Sequence, residues 1–187
     1  MLKKNEMITQ TKQNFVDAFW SLYCEKRIEK ITVKDITVKA GYNRSTFYEY
    51  FQDVYDVLEY IESALIPEAD ELPPISIQSK THGLPMDVFL ELYEENYKYY
   101  SVLLGPKGDA AFASKLKERI KLNIMPLFDL NPDVNRKELD YILEYTLSAM
   151  IGIMSYWFVQ PEKMSSTELH ELIHRLMEQG VVRQLEK

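Results

Sequence analysis

The stretch that most constrains this chain is Thr32 to Phe51, TVKDITVKAGYNRSTFYEYF, where a helix stop and a helix start fall within a few residues of each other. Thr32 and Asp35, three apart, form an N-terminal capping pair. Val33, Ile36 and Ala40 then recur at helical spacing. Gly41 follows the last periodic residue, where helices end in a left-handed conformation. Asn43 is suited to cap a new helix, on which Phe47 and Phe51 are one turn apart and face inward. Tyr42, Arg44, Ser45, Thr46, Tyr48, Glu49 and Tyr50 are left for the exposed sides. The stretch predicts a helix–turn–helix. Its supporting helix is expected from about Thr9 to Arg27, on a stripe of Ile8, Phe15, Ala18, Phe19, Leu22 and Tyr23, with Ile28 and Ile31 closing it onto the unit. Three helices around Phe15, Phe19, Ile36, Phe47 and Phe51 make a small core.

The remainder also reads as helices. Asp53 caps a fourth, with Val54, Val57, Leu58, Ile61 and Leu65 on its apolar face, and Pro67 stops it. Residues 67–85 hold four of the eight prolines and read as a loop. A helix from Met86 to about Leu104 is rich in tyrosine. A turn at Gly105–Asp109 follows, with Asp109 capping a helix from Ala110 to about Asn123. Pro126 and Pro132 frame a break. Leu139 to Val159 is apolar on nearly every side and is expected to be buried all round. Pro161 ends it, and Ser165 or Ser166 caps a last helix. The expected fold class is all-α: an N-terminal three-helix helix–turn–helix domain followed by a helical C-terminal domain.

A helix–turn–helix sets the N-terminal end of its second helix in the major groove of DNA, and here that end carries Arg44 and hydroxyls. The net charge of −7 argues against a nucleic-acid partner until the chain is divided. Residues 1–50 hold nine Lys or Arg against six Asp or Glu, net +3, and residues 51–187 hold 13 against 23, net −10. Phosphate contacts are local, so a basic head on an acidic body is compatible with DNA. One cysteine, Cys24, excludes an intramolecular disulfide framework, suits a reducing cytoplasm and is expected to serve packing. MLKKNEMITQTKQ lacks the apolar run of a signal peptide. The uncharged stretch from Tyr145 to Gln160, closed by Pro161, is 16 residues and short for a membrane span. A soluble, cytoplasmic protein is expected.

Thr32, Val33, Asp35, Ile36, Ala40, Gly41, Tyr42, Asn43, Arg44, Thr46, Phe47, Tyr48, Tyr50 and Phe51 stand without gaps in a pattern that resembles the DNA-binding signature of the tetracycline-repressor (TetR) family of regulators. The resemblance covers roughly the first third of the chain. It implies a DNA-binding domain over residues 1–52 and an effector-binding and dimerisation domain over 53–187, with 53–66 as the connecting helix. It implies a homodimer on a near-palindromic double-stranded operator, switched by a small-molecule effector, with repression the family's usual sign. Tyr42, Arg44, Ser45 and Thr46 are the groove candidates, with Arg44 suited to a guanine edge. Thr32, Lys34, Asn43, Tyr48 and Tyr50 are the candidates for backbone contacts. One position departs. Where the family has a phosphate-binding Lys, three residues after the final Phe, this chain has Val54 behind Asp53, which shifts the grip to Lys34, Tyr48 and Tyr50. A rival reading follows from that departure: a helical dimeric interaction module or co-regulator with weak or lost DNA binding.

For the effector, the density of Tyr and Met marks Tyr93, Tyr97, Tyr100, Phe112, Leu116, Met125, Phe128, Met150 and Met154 as lining an apolar or aromatic site. For the dimer, Ser148, Gly152 and Ser155 form a small-residue strip, and Leu169, Leu172, Ile173 and Leu176 a stripe on the last helix, resembling the family's four-helix interface. No catalytic constellation, cofactor or metal is expected. His170-Glu171-Leu172-Ile173-His174 has the H-E-x-x-H form of a zinc site but lacks a third ligand nearby. Gly105-Pro106-Lys107-Gly108-Asp109 lacks the spacing of a phosphate loop. Asn43-Arg44-Ser45 matches a glycosylation acceptor only by chance.

Overall fold

In a computed structural model, residues 10–66, 93–106, 108–109, 111–125 and 135–185 are described, and all regular structure among them is helical. Two compact units divide the chain, Met1–Leu65 and Ile66–Lys187.

The first unit is built on α1 (Gln10–Glu25), which packs against α2 (Val33–Ala40) and α4 (Val54–Leu65), while α2 packs on α3 (Arg44–Tyr48). A single 3-10 turn, Ile28–Lys30, joins α1 to α2. Phe15, Phe19, Ile36 and Phe47 are fully buried and Phe51 nearly so. Each such phenylalanine contributes about 1.5–3 kcal/mol through burial. The Phe15 ring meets Phe47 edge-on at 5.3 Å, and Phe47 meets Phe51 at 5.7 Å. α1 buries more than the expected stripe, adding Val16 and Trp20, because it covers two helices rather than one; Ile8 lies outside the described residues. α3 is shorter than expected and Phe51 falls beyond it, although the Phe51 amide still donates to Phe47 O at 3.0 Å. Cys24 is exposed rather than packed, since the buried face at the end of α1 is taken by Tyr23.

In the second unit α5 (Tyr97–Leu103) and α6 (Phe112–Ile124) both pack against α7 (Arg136–Val159), and α8 (Ser166–Leu185) follows. Phe112, Leu116, Ile120 and Ile124 form the buried stripe of α6. Leu139, Leu143, Leu147, Met150 and Met154 form that of α7. Ion pairs run along the same seam: Lys117 with Glu144, and Lys121 with Asp140 (2.7 Å) and Glu144 (3.3 Å). The helix expected from Met86 is interrupted at Asn96 (φ −113°, ψ 22°), and its start lies outside the described residues. Gly108 answers a close approach: a Cβ there would meet Leu103 O at 2.0 Å. Asp109 caps the entry to α6, its Oδ1 accepting from the Ala111 amide at 2.9 Å.

α7 differs from expectation in two ways. It begins a turn early, because Asn135 Oδ1 accepts from the Lys137 amide at 3.0 Å and caps it. It is also buried on one face only. Tyr141, Tyr145 and Tyr156 are 73%, 70% and 65% exposed, with Ser148 and Gly152 exposed between them. Their spacing of four, three, four and four residues makes one continuous stripe opposite the packed face. By length and composition α7 could cross a membrane, but Asp140 and Glu144 upon it are engaged with α6.

Candidate nucleic-acid interface

The helix–turn–helix is fixed by side chains that close on its own backbone. Thr32 Oγ1 accepts from the Asp35 amide at 3.2 Å, and Asp35 Oδ2 accepts from the Thr32 amide at 3.0 Å. The same carboxylate accepts from Lys26 Nζ at 3.0 Å, which ties the start of α2 to the end of α1. This bond from Lys26, followed by those from Thr32, lowers the Asp35 pKa. Gly41 sits at φ 78° and ψ 25°, with nothing within 4 Å of where a Cβ would be, so glycine is required there by conformation and not by space.

At the start of α3, Asn43 Oδ1 gathers three donors: the Thr46 amide (2.8 Å), Ser45 Oγ (2.6 Å) and Thr46 Oγ1 (3.0 Å). Both hydroxyl hydrogens are thereby turned inward. Ser45 and Thr46 offer lone pairs to the outside, which suit the amino groups of adenine or cytosine rather than phosphate oxygens. The outward donors are Asn43 Nδ2, the Arg44 guanidinium and Lys34, all on exposed residues. Thr32 is exposed as well, and Tyr48 is 58% exposed, its ring edge-on to Phe47. Tyr42, Thr46 and Tyr50 are half-buried. The Tyr42 and Tyr50 rings rest on Phe15 at 5.1 and 6.2 Å. Tyr42 Oη accepts from Asn14 Nδ2 at 3.0 Å, and Asn14 Oδ1 accepts from Gln10 Nε2 at 2.9 Å. With its oxygen so engaged, the Tyr42 hydroxyl is oriented to donate outward.

Val54 is buried as the first residue of α4. Two of the amide donors in the first turn of that helix are already engaged. Asp53 Oδ1 accepts from the Tyr55 and Asp56 amides (2.8 and 2.9 Å), and Asp56 Oδ2 accepts from the Gln52 amide (2.8 Å). Two carboxylates there disfavour phosphate. Sequence reasoning missed Asn14 and Gln10, whose only sign is their spacing of four on α1. It also missed Tyr55 and Val38, both exposed.

Of the expected effector-lining residues, Tyr93, Tyr97 and Met154 come together in a cleft of about 260 Å³, which includes space open to solvent. Glu94, Trp157, Phe158, Ser166 and Leu169 complete it, and none of these is expected in an effector site from the sequence, which assigns Leu169 to the dimer stripe and Ser166 to a helix cap. Tyr100, Phe112, Leu116 and Met150 are buried in the core behind, linked to the cleft through Tyr93–Tyr100 ring contact at 4.4 Å. Burial raises the pKa of both these tyrosines. Met125 is half-buried at the end of α6, and Phe128 lies outside the described residues. Of the expected dimer residues, Ser148 and Gly152 are exposed, Ser155, Leu172 and Leu176 half-buried, and Leu169 and Ile173 buried within the chain itself. His170 and His174 are half-buried on α8, and Glu171 is exposed and faces Arg175 at 3.9 Å. Among the described residues no group of three or more His, Cys, Asp or Glu is placed to share a metal.

Residues 86–179 match a family model described as a transcriptional regulator C-terminal region. Among solved structures, the chain is similar to the TetR transcriptional regulator from Streptococcus agalactiae 2603V, with a TM-score of 0.64 and 22% identity over 92% of this chain and 96% of that one. It is similar to the dihydroxyacetone kinase operon activator DhaS, with a TM-score of 0.58 and 22% identity over 95% and 97% of the two chains. It is also similar to the fatty acid degradation regulator FadR from Bacillus halodurans, with a TM-score of 0.64 and 16% identity over 96% and 98%. At these identities the likeness is one of fold. No curated protein matches the chain in sequence.

Proposed function

The chain belongs to the TetR family of transcriptional regulators, DNA-binding proteins of all-helical fold, and on that premise we propose that it binds a near-palindromic operator as a homodimer and is switched by a small molecule. Residues 1–52 are the DNA-binding head and 53–187 the effector and dimerisation body, with 53–66 connecting them. The observation that carries the reading is the start of α3, where Asn43 turns Ser45 and Thr46 into acceptors beside the exposed donors of Arg44. Two such ends enter successive major grooves about 34–36 Å apart. Tyr42, Arg44, Ser45 and Thr46 read bases. Thr32, Lys34, Asn43, Tyr48 and Tyr50 hold phosphates in place of the lysine that Val54 replaces.

The exposed stripe of α7, with Ser148, Gly152 and Ser155, meets its copy in the dimer together with Leu172 and Leu176 of α8; Leu169 and Ile173 support that face from within. The effector enters the second unit at Tyr93, Tyr97 and Met154 and alters the spacing of the two heads. The regulator acts as a repressor in the cytoplasm and catalyses no reaction. A salt-dependent shift assay on DNA flanking its own gene tests the reading. Arg44→Ala should weaken binding and relax preference at one base pair of each half-site, and unchanged affinity and preference would remove Arg44 from the groove.

A further inference from the structure

Two aromatic walls of the cleft are held from outside it by one short loop. Tyr97 on α5 and Trp157 on α7 both line the cleft, with their rings edge-on at 6.1 Å. Each side chain has a single polar group, and each engages the loop of residues 160–165 between α7 and α8. Lys163 Nζ donates to Tyr97 Oη, and Trp157 Nε1 donates to Met164 O at 2.7 Å. Neither Lys163 nor Met164 lines the cleft itself. The next residue, Ser165, closes the N-terminus of α8. Its amide and its Oγ donate to Glu168 Oε2 at 2.8 Å, and its Oγ accepts from the Glu168 amide at 3.2 Å. Ser166 and Leu169 then return to the cleft as lining residues. One continuous segment, residues 163–169, thus holds two walls from behind and supplies part of a third.

We propose that Lys163 is a positioning residue of the cleft, and that residues 163–169 form a latch whose closure is linked to the binding of an uncharged aromatic ligand. The inference deepens the effector reading above and rests on it. The bond from Lys163 reaches the hydroxyl, at the rim of the Tyr97 ring, so it fixes the ring without covering a face that a ligand could meet. The bond from Trp157 Nε1 fixes the indole in the same way. The latch opens readily, because Lys163, Met164 and Ser165 are all exposed and little apolar surface holds them down. A ligand packed on Tyr97 and Trp157 favours the closed loop, and by reciprocity the closed loop favours the ligand. None of the described residues lining the cleft is basic, and Glu94 is a carboxylate. An acid therefore finds no partner in the lining, whereas a hydroxyl donor does. Closure also orders the start of α8, the helix that carries Leu172 and Leu176 of the dimer stripe.

Isothermal titration of the full chain with 2-naphthol, a neutral fused-ring probe, measures the linkage, and backbone hydrogen exchange locates it. The probe should bind and slow exchange of the amides of residues 162–169. Lys163→Met removes the donor and should lower affinity about three-fold, with the protection of those amides lost. Lys163→Arg keeps a donor and should restore both. Tyr97→Phe should match Lys163→Met, and the double variant should bind no more weakly than either alone, because each change removes the same bond. Lys163 and Tyr97 are exposed, so these variants keep the fold. Wild-type affinity and protection in Lys163→Met, losses that add in the double variant, or no binding of the probe overturns the latch. The shift assay on operator DNA keeps the two readings apart. Failure of the probe to bind, with operator binding intact, ends the cleft proposal alone. A probe that binds with the expected coupling and leaves operator affinity unchanged supports the latch and ends the assignment of this cleft as the effector site.

Discussion

Asn43 offers a way to separate folding from DNA binding at a single position. Its Oδ1 caps α3 and also turns the Ser45 and Thr46 hydroxyls inward, while its Nδ2 is left to donate outward. Asn43→Ala deletes both halves, and removing the cap costs about 1 kcal/mol. For a chain of this length that lowers Tm by about 2–4 °C. Asn43→Asp keeps an oxygen acceptor where the cap needs it and adds a charge that suits a helix N-terminus, so stability should hold or rise by about 0.3–1 kcal/mol. Toward DNA the two variants differ in the other sense. The aspartate replaces a donor with an anion. At about 8 Å from a phosphate and an effective dielectric constant of about 20, the repulsion is about 2 kcal/mol, close to a thirty-fold weakening per head. The added negative charge offsets about one neutralised phosphate per head, so the slope of log K against log salt should fall by about 0.9 for each head. Scanning calorimetry and fluorescence anisotropy on labelled operator at several salt concentrations measure both quantities. If Asn43→Asp binds with wild-type affinity and slope, Asn43 does not face the phosphates; if Asn43→Ala is as stable as the parent, the cap contributes nothing.

Tyr42→Phe should weaken operator binding while leaving the salt slope unchanged, because a neutral hydroxyl releases no counterions, and Asn14→Ala should reproduce that effect only when Tyr42 is present, a coupling that a double-mutant cycle of affinities detects. Gly152→Leu should fold normally and gain up to about 1 kcal/mol of helix propensity, since nothing lies within 4 Å of a Cβ there, yet it should sediment as a monomer with weakened operator binding. A dimer unaffected by that change would move the interface off this face of α7. The Asp35 carboxyl is held below its ordinary value of 3.8, mainly by Lys26, so its contribution to stability is present above that value and disappears as pH falls through the folded one. Asp35→Asn should therefore flatten the fall in Tm between about pH 5 and about pH 2, leaving no acid-sensitive component from this pair.

Much of the first unit was legible because its signals are local. A capping pair, a left-handed glycine and an N-cap asparagine act within one turn of backbone, and each appears where its spacing placed it. The Asp53 and Asp109 caps were legible for the same reason, and of the two serines offered for the last helix it is Ser165 whose Oγ accepts from the Glu168 amide. The polar relay from Gln10 through Asn14 to Tyr42 was not, because it joins residues 28 apart whose meeting depends on how α1 crosses the turn. In the second unit the Tyr and Met content located an aromatic region but not its mouth. Trp157, Phe158 and Lys163 follow the tyrosines by more than fifty residues, and α7 has to fold back beside α5 before they touch.

α7 marks the boundary between the two kinds of information. The sequence by itself determined that residues around Leu139 to Val159 form a long apolar helix, because composition and a missing helix breaker suffice for that. It could not say which side the helix hides, since apolar residues occur on nearly every side and periodicity then carries no direction. Only the tertiary structure decided it. α6 and α5 take the face of Leu143, Leu147 and Met154, and the tyrosine stripe with Gly152 is left outward. The physical reason is one of range: caps and turns are settled between neighbours in the chain, whereas the choice of a buried face belongs to whichever partner helix arrives to cover it.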